Sequence, residues 1–152
     1  MVRDAVKVLL ENGLDKENLI LLHCNTEYPT PFEDVNLKAM NAIEKEFGVK
    51  VGYSDHTLGI EVPIAAVALG ADVIEKHFTT SRADGGVDSA FSMEPHELKM
   101  LVEETERAWL SIGKVNYGPT EAEIPSLVGR RSLYISADMK AGDVLSKENV
   151  RN

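Results

Sequence analysis

The sequence predicts an α/β protein built on parallel strands. Three strand–loop–helix units follow one another between residues 18 and 113, and one further helix precedes them. Strands that alternate with helices pair in parallel through right-handed crossovers. Two architectures fit this order, an open doubly wound sheet and part of an eight-stranded barrel. The loops that follow the strands are longer and more polar than those that precede them, and in both architectures this edge of the sheet holds the functional site.

Apolar periodicity and prolines predict the first elements. Residues 2–12 have an amphipathic pattern, and Gly13 stands where a helix C-terminus favours glycine. Residues 18–24 form an apolar run that is typical of a strand buried on both faces. The two prolines within residues 25–34 indicate a loop, and residues 35–48 have the apolar stripe of a helix.

The same order then repeats. The predicted strands are residues 49–56 and 72–78, and the predicted helices are residues 62–71 and 94–113. Each of these helices has a proline in its first turn, where the missing N–H is tolerated.

The pattern changes after residue 113. Residues 114–128 contain two prolines and little periodicity, which is typical of a linker. Residues 129–152 have strand-like segments around a turn, and residues 147–150 predict the start of a helix. So small a module cannot bury a core of its own. We therefore expect a main domain over residues 1–113 and the start of an incomplete β-rich module over residues 129–152.

Composition and charge exclude several classes of function. The net charge is −9, and an acidic surface repels nucleic-acid phosphates and anionic lipids. Cys24 is the single cysteine, so no intrachain disulfide can form. No signal peptide is recognisable, and no apolar run approaches the roughly 20 residues that a membrane span needs. We expect a cytoplasmic protein that binds neither nucleic acid nor membranes.

Two of the four histidines end successive predicted strands. His56 and His77 are 77 − 56 = 21 residues apart, which is one strand–helix unit, so neighbouring strands carry them. Their imidazoles would then lie side by side, and imidazole is a common transition-metal ligand. Two histidines leave coordination positions open for water and substrate. The alternative is a pair of hydrogen-bonded polar residues at a pocket rim, and on the residues alone both interpretations stay open.

Further polar residues lie near these strand ends. Glu75 lies two residues before His77 and so faces the same side of the strand. It could support a ligand or contact a substrate, and a salt bridge with Lys76 or another lysine is the alternative. Ser54 lies near a helix N-terminus, which suits a phosphate or carboxylate.

The first strand ends in a histidine and a cysteine, which raises the question of a thiol nucleophile. Because adjacent strand residues point to opposite faces, we do not expect His23 and Cys24 to meet, and we interpret Cys24 as a small core residue. Asn25, Thr26 and Tyr28 follow on a loop and suit hydrogen bonding to a polyol. The alternative is a turn with a packed tyrosine.

The loop after the third strand is rich in glycine and aspartate. It contains Asp84 and Asp88, and Arg82 in the same loop could bind an anion. For Arg82 and Asp84 we favour a simple solvated loop. His96 is expected to be an exposed residue of the closing helix.

Three segments give the chain a family resemblance. On the strings "LLHCNTEYPTPFEDVNLKAM", "VGYSDHTLGIEVPIAAVALGADVIEKHF" and "RRSLYISADMKAGDVLSKENV", it resembles the sialic acid synthase family, which includes N-acetylneuraminate, legionaminate and pseudaminate synthases. The strings "SDHTLG" and "EKHF" are the most specific, and the resemblance covers nearly the whole chain.

The resemblance implies a (β/α)8 TIM barrel, followed by a small antifreeze-like (SAF) domain, in a domain-swapped homodimer. The chain would comprise about three βα units from the C-terminal part of the barrel and the start of the antifreeze-like module. The implied enzyme is a transferase of carbohydrate biosynthesis. It condenses phosphoenolpyruvate with N-acetylmannosamine or a related amino sugar to give a nonulosonate. Because the earlier strands of such a barrel are missing, we expect this chain alone to be inactive or nearly so.

The resemblance also assigns the metal and the catalytic residues. His56 and His77 match the metal-binding histidines, and the implied ion is Mn²⁺, with Mg²⁺ or Co²⁺ as alternatives. Glu75 matches an acidic residue close to the metal, and Glu75 and His77 are the expected catalytic residues.

Five residues are expected to bind substrate. Ser54 matches a serine that binds phosphoenolpyruvate, Tyr28 a tyrosine that contacts the sugar, and Asp88 an aspartate that binds sugar hydroxyls. The residues that flank Asp88 are valine and serine in place of the family's usual proline and histidine. Asn25 and Thr26 complete the set.

Two other functions stay open. The chain could be a non-catalytic fragment or remnant of such a synthase, or belong to another metal-dependent barrel enzyme of the aldolase type. Loss of metal binding on replacing either His56 or His77 separates an enzyme-derived site from a remnant. Binding of phosphoenolpyruvate separates a synthase from an aldolase.

Overall fold

The computed structural model describes residues 1–152 as two compact units, residues 1–113 and residues 114–152. The first unit alternates helices and strands in the expected order. Its helices are α1 (Val2–Glu11), α2 (Lys38–Phe47), α3 (Glu61–Ala68) and α4 (Pro95–Ile112), and its strands are β1 (Ile20–Cys24), β2 (Lys50–Asp55) and β3 (Val73–Lys76).

The three strands form one parallel sheet with β2 in the middle. An α/β fold with a parallel sheet is therefore confirmed. The register pairs Ser54 with Glu75, and in the next row it pairs Asp55 with Lys76. β2 and β3 thus end in the same row, so the residues that follow them, His56 and His77, emerge from the same edge of the sheet.

The main core lies between one face of the sheet and the helices α2 and α3. Val51 and Tyr53 of β2 are fully buried there, and both belong to a cluster with Val35, Met40, Val62 and Ala66. Burial of each large apolar side chain stabilises the fold by about 1.5–3 kcal/mol. A smaller cluster packs α1 near the beginnings of β1 and β2, and its buried members are Val6, Leu19 and Val49.

Two helices differ from their predicted limits for local backbone reasons. α2 begins at Lys38 and not at residue 35, because Asn36 has a φ of 48°, which a right-handed helix cannot contain. α3 ends at Ala68 and not at residue 71, because Gly70 has a φ of 100° and the N–H of Ala71 donates back to the carbonyl of Ala66 at 2.9 Å. This is the glycine-terminated geometry that commonly closes a helix.

α4 has a clear start. Glu94 and Glu97 form a reciprocal capping box, in which the Glu97 carboxylate accepts the backbone N–H of Glu94 at 2.8 Å, and Pro95 occupies the first turn. α4 therefore begins and ends within one residue of its predicted limits, 94 and 113.

The second unit has little regular structure. Glu121–Gly129 is a 3₁₀-helical segment that ends one residue beyond the predicted linker, and β4 (Tyr134–Ile135) pairs in antiparallel fashion with β5 (Val150–Arg151). The predicted helix start at residues 147–150 is wrong. The Asn149 side chain accepts the N–H of Ser146 at 2.7 Å, which closes a turn and returns the chain to pair with β4. No residue of this unit is buried, as its small size requires.

None of the four helices combines the length and the apolar character that crossing a bilayer requires.

Gly52 lies in the central strand at a point where no side chain fits. A Cβ there would be 2.3 Å from the carbonyl oxygen of Val73 and 2.6 Å from Cδ2 of Leu22. We expect Gly52→Ala to lower the free energy of unfolding by about 1–3 kcal/mol, because overpacking forces the neighbouring backbone to move. Urea denaturation followed by circular dichroism measures this change.

Gly129→Ala is the matched control, because a Cβ at Gly129 meets no atom within 4 Å. Equal stability of the Gly52→Ala variant and the unmodified chain would contradict the close approach of the strands at this point.

Candidate active site

An aromatic cluster lies at the carboxyl edge of the sheet, and both predicted metal-binding histidines belong to it. The ring centroids of His56 and His77 are 5.1 Å apart. The ring of Tyr28, from the loop after β1, lies 4.1 Å from His56 and 5.8 Å from His77. Phe91, from the loop after β3, lies 5.2 Å from His77. All three loops that follow the strands therefore contribute to one site.

Hydrogen bonds determine the tautomer of His56. Its Nδ1 lies 3.0 Å from the carbonyl oxygen of Asn25, and its own carbonyl accepts the N–H of Thr30 at 2.9 Å. Because a carbonyl only accepts hydrogen bonds, Nδ1 carries a proton, and in the neutral ring the lone pair is then on Nε2. The ring is buried, with 6% of the residue exposed.

His77 has one contact at its backbone and one beside its ring. Its carbonyl accepts the N–H of Met93 at 2.8 Å, and its Nδ1 lies 3.9 Å from Oδ2 of Asp88. The Asp88 carboxylate thus lies beside Nδ1 of His77, as the Asn25 carbonyl lies beside Nδ1 of His56. Asp88 itself has a φ of 66°, a left-handed conformation that aspartate tolerates better than most residues.

Ser54 and Glu75 are joined on the face of the sheet that carries the two histidines. The Ser54 hydroxyl donates to Oε1 of Glu75 at 2.7 Å. Glu75 is exposed, while Ser54 is buried. The salt bridge between Glu75 and Lys76 that the sequence left open does not form, because Lys76 lies on the opposite face of the sheet.

The opposite face has a buried ion pair that sequence reasoning missed. Nζ of Lys76 lies 2.5 Å from Oδ2 of Asp55, and only 4% and 0% of the two side chains are exposed. The signal was present in the sequence, since Asp55 and Lys76 are separated by 76 − 55 = 21 residues, the same interval that separates the two histidines.

The predicted substrate-binding residues of the loop after β1 differ in their surroundings. The side-chain amide of Asn25 donates to the carbonyl of Asp34 at 2.8 Å and accepts the hydroxyl of Tyr53 at 3.3 Å, so protein groups occupy it. Burial, with smaller contributions from Asp55 and Cys24, raises the pKa of Tyr53 above its usual range, which keeps its hydroxyl a donor. Thr26 is exposed, and Tyr28 is the residue of this loop whose ring lies beside the histidines.

His23 and Cys24 point to opposite faces of β1, as expected. Nε2 of His23 lies 2.8 Å from the carbonyl oxygen of Val35. Cys24 is exposed, so its interpretation as a core residue is wrong. It lies on the sheet face that no helix covers, and its sulfur is 3.9 Å from Nδ1 of His56.

The interpretation of Arg82 as a solvated residue is also wrong. Its guanidinium contacts both carboxylate oxygens of Glu97, at 2.5 and 3.1 Å, and donates to the carbonyl of Ser92 at 2.9 Å. These bonds attach the loop after β3 to the first turn of α4. Asp84 and His96 are exposed, in agreement with the sequence-based expectation.

The two histidines fit the role of metal ligands. The chain has no group of three or more His, Cys, Asp or Glu side chains arranged to hold a metal ion. In each ring Nδ1 faces an oxygen acceptor, Asn25 for His56 and Asp88 for His77. Metal-bound histidines usually donate their other ring N–H to such an acceptor, which leaves Nε2 for the ion.

The sequence profile of the NeuB family matches residues 1–117. The chain belongs to the NeuB family. Its identification with the sialic acid synthases is thereby confirmed.

Two bacterial synthases are similar to the chain in sequence. The chain is 44% identical over 150 residues to an N,N'-diacetyllegionaminic acid synthase of Campylobacter jejuni, a match that spans 98% of the chain and 45% of the relative. It is 46% identical over 149 residues to the enzyme of the same name from Legionella pneumophila, over 97% of the chain and 41% of the relative. The chain therefore spans less than half the length of these relatives.

A solved structure has the same fold. The N-acetylneuraminic acid synthetase of Leptospira borgpetersenii, crystallised with citrate, superimposes with a TM-score of 0.71 at 40% sequence identity. The match covers 85% of the chain and 44% of the synthetase chain.

The hydrogen bond between Asn25 and Tyr53 should stabilise the loop after β1. We expect Asn25→Ala to lower the free energy of unfolding by about 1–3 kcal/mol, because it leaves the buried Tyr53 hydroxyl unsatisfied. Tyr53→Phe removes that hydroxyl, so Asn25→Ala should cost less in the Tyr53→Phe background. A double-mutant cycle measures the coupling energy, and purely additive effects would contradict the bond.

The contact of Arg82 with Glu97 should make stability depend on pH. The Arg82 guanidinium, with the Glu94 N–H, lowers the pKa of the Glu97 carboxyl. The ionised Glu97 carboxyl therefore contributes fully to the free energy of unfolding above the unfolded pKa of about 4.3. This contribution is lost as the pH falls through the lowered pKa of the folded state. We expect Glu97→Gln to cost at most about 1 kcal/mol at pH 7, since the pair is partly exposed, and nothing at acid pH once the carboxyl of the unmodified chain is protonated.

Urea denaturation across pH 2–7 measures this difference in stability. Glu106→Gln, at an exposed position of the same helix, is the control and should show no comparable pH dependence. A cost of Glu97→Gln that stays constant over the whole pH range would contradict the assignment.

Proposed function

We propose that the chain is part of an enzyme that condenses phosphoenolpyruvate with N-acetylmannosamine or a related N-acylated amino sugar. The product would be a sialic-acid-type nonulosonate. Membership of the NeuB family supports the reaction class. The observation that carries the proposal is the pair of imidazoles 5.1 Å apart at the carboxyl edge of the sheet.

The same proposal extends to the architecture. The three strand–helix units would form part of a (β/α)8 barrel, and residues 114–152 would include the beginning of an antifreeze-like module. The structural similarity to the Leptospira synthetase supports this extension. The enzyme would act as a homodimer.

His56 and His77 would hold a divalent cation, with Mn²⁺ as the first choice and Mg²⁺ or Co²⁺ as alternatives. Such an ion, when bound, would supply Lewis-acid polarisation of the aldehyde of the open-chain sugar. The Asn25 carbonyl, 3.0 Å from Nδ1 of His56, orients that ring, and the Asp88 carboxylate lies 3.9 Å from Nδ1 of His77. Neutral imidazole with a free Nε2 is the form that binds metal.

The neighbouring side chains would position the two substrates. Tyr28 and Asp88 flank the histidines and suit the hydroxyls of the sugar. Ser54 would bind phosphoenolpyruvate by turning its one hydroxyl proton, which it donates to Glu75 in this structure, toward an oxygen of the substrate. Holding both substrates in a reactive geometry removes much of the entropic barrier to a bimolecular step.

In the proposed reaction, the enol carbon of phosphoenolpyruvate forms a bond to the sugar aldehyde carbon. Water adds to the resulting cationic carbon and loses a proton, and the former aldehyde oxygen gains a proton to become a hydroxyl. The tetrahedral carbon then becomes the keto group as its C–O bond to phosphate breaks and phosphate leaves. Glu75 and His77 are the proposed catalytic residues. The second carboxylate oxygen of the exposed Glu75 is available to orient or accept a proton at the reacting centre.

Replacing either histidine should abolish metal binding. We expect His56→Ala and His77→Ala each to weaken Mn²⁺ binding by more than about 100-fold, beyond the 10–100-fold loss typical of supporting residues. Electron paramagnetic resonance of free Mn²⁺ measures the dissociation constant. His96→Ala is the control, because His96 is an exposed residue of α4 and should not affect binding.

Titration with phosphoenolpyruvate in the presence of Mn²⁺ tests the substrate. Binding that is weakened by Ser54→Ala supports the synthase. If Mn²⁺ binds but phosphoenolpyruvate does not, the proposed role of Ser54 in binding phosphoenolpyruvate to this chain fails. Mn²⁺ binding that survives both histidine replacements would refute the metal pair.

A further inference from the structure

The buried ion pair lies directly before the two histidines. Asp55 and Lys76 occupy matching positions in β2 and β3, and each is followed at once by a histidine of the candidate site. The pair is on the face of the sheet opposite Ser54 and Glu75. Its charged groups are nearly inaccessible to solvent, with 0% and 4% of the two side chains exposed.

Lys76 contacts both neighbours of His56. Its ammonium lies 2.5 Å from Oδ2 of Asp55 and 2.6 Å from the carbonyl oxygen of Thr57. The other Asp55 oxygen accepts the N–H of Thr57 at 2.9 Å, which closes a tight turn around His56. One side chain of β3 thus holds the residues before and after His56, the proposed metal ligand that follows β2.

Stability alone does not account for such a pair. Removing two charges from water is costly, and replacing a buried ion pair by apolar residues of similar volume is often neutral or stabilising. What an apolar pair cannot supply is the directed contact between Lys76 and the Thr57 carbonyl. The distinctive contribution of the pair is therefore geometric.

We propose that Asp55 and Lys76 are positioning residues that fix the separation of the His56 and His77 imidazoles. Through that separation they set the affinity of the histidine pair for a divalent cation. The part of the inference that concerns the cation rests on the proposed function. The separation of the two rings belongs to the chain itself and can be measured without any metal.

The test replaces the charges without leaving one of them unpaired. In the Asp55→Leu/Lys76→Met double variant, the buried volume is retained and every bond to Thr57 is lost. We expect cooperative unfolding in urea to persist, because apolar replacement of both charges spares the core. The nuclear Overhauser effect between the ring protons of His56 and His77 should weaken or disappear, and Mn²⁺ binding should weaken about 10–100-fold.

Two further variants make the test specific. Arg3→Met/Glu46→Leu removes an exposed ion pair between α1 and α2, and it should change neither the Overhauser effect nor Mn²⁺ binding. If the double variant does not fold, Asp55→Asn/Lys76→Met replaces it, which also leaves no charge unpaired. It keeps an acceptor for the Thr57 N–H but removes both contacts of Lys76, and the same two losses are expected at smaller size.

The outcomes separate the two proposals. An unchanged Overhauser effect with unchanged Mn²⁺ affinity in a folded variant overturns the positioning role. A loss of stability with unchanged ring separation also overturns it, because the pair would then be structural only. If the unmodified chain binds no Mn²⁺, the proposed metal pair fails, and the Overhauser effect alone decides whether Asp55 and Lys76 position the rings.

Discussion

The parallel register of β2 with β3 is the constraint on which the rest of the structure depends. Ser54 lies opposite Glu75, and Asp55 lies opposite Lys76, so equivalent positions of two units meet row by row. The row that follows contains the two histidines. In a parallel sheet, a shift of one residue would turn every side chain of a strand to the other face. The register is therefore what brings two imidazoles to within 5.1 Å of each other.

The two faces of the sheet have different roles. The face toward α2 and α3 carries Val51 and Tyr53 in the core, and at its end it carries the Asp55–Lys76 pair. The other face carries Ser54 and Glu75 below the aromatic cluster. Alternation along each strand thus separates residues that stabilise the sheet from residues that face the site. The loop that follows β1 places the Tyr28 ring beside His56, and the Asn25 carbonyl of the same loop lies at Nδ1 of His56.

Several features of the site could be predicted from sequence because they follow from periodicity and equal spacing. The 21-residue interval between His56 and His77 equals one strand–helix unit, and the structure has that unit. Other predictions failed because they depend on contacts between distant segments. Arg82 pairs with Glu97 across a loop, and Cys24 is exposed because its face of β1 has no helix against it. Such facts are not encoded in the neighbours of a residue along the chain.

The amino-acid pattern by itself determined the order of helices and strands, the parallel α/β class, the placement of both histidines at strand ends and the family. These properties depend on the conformational preferences of neighbouring residues and on the repeated spacing of similar residues, and both can be read from the amino-acid sequence alone. Only the tertiary structure decided which partner each polar group has: the Asn25 carbonyl for His56, Glu75 for Ser54, and Asp55 with the Thr57 carbonyl for Lys76. A hydrogen bond requires two atoms within about 3 Å, and that proximity exists only after the strands have paired and the loops have packed.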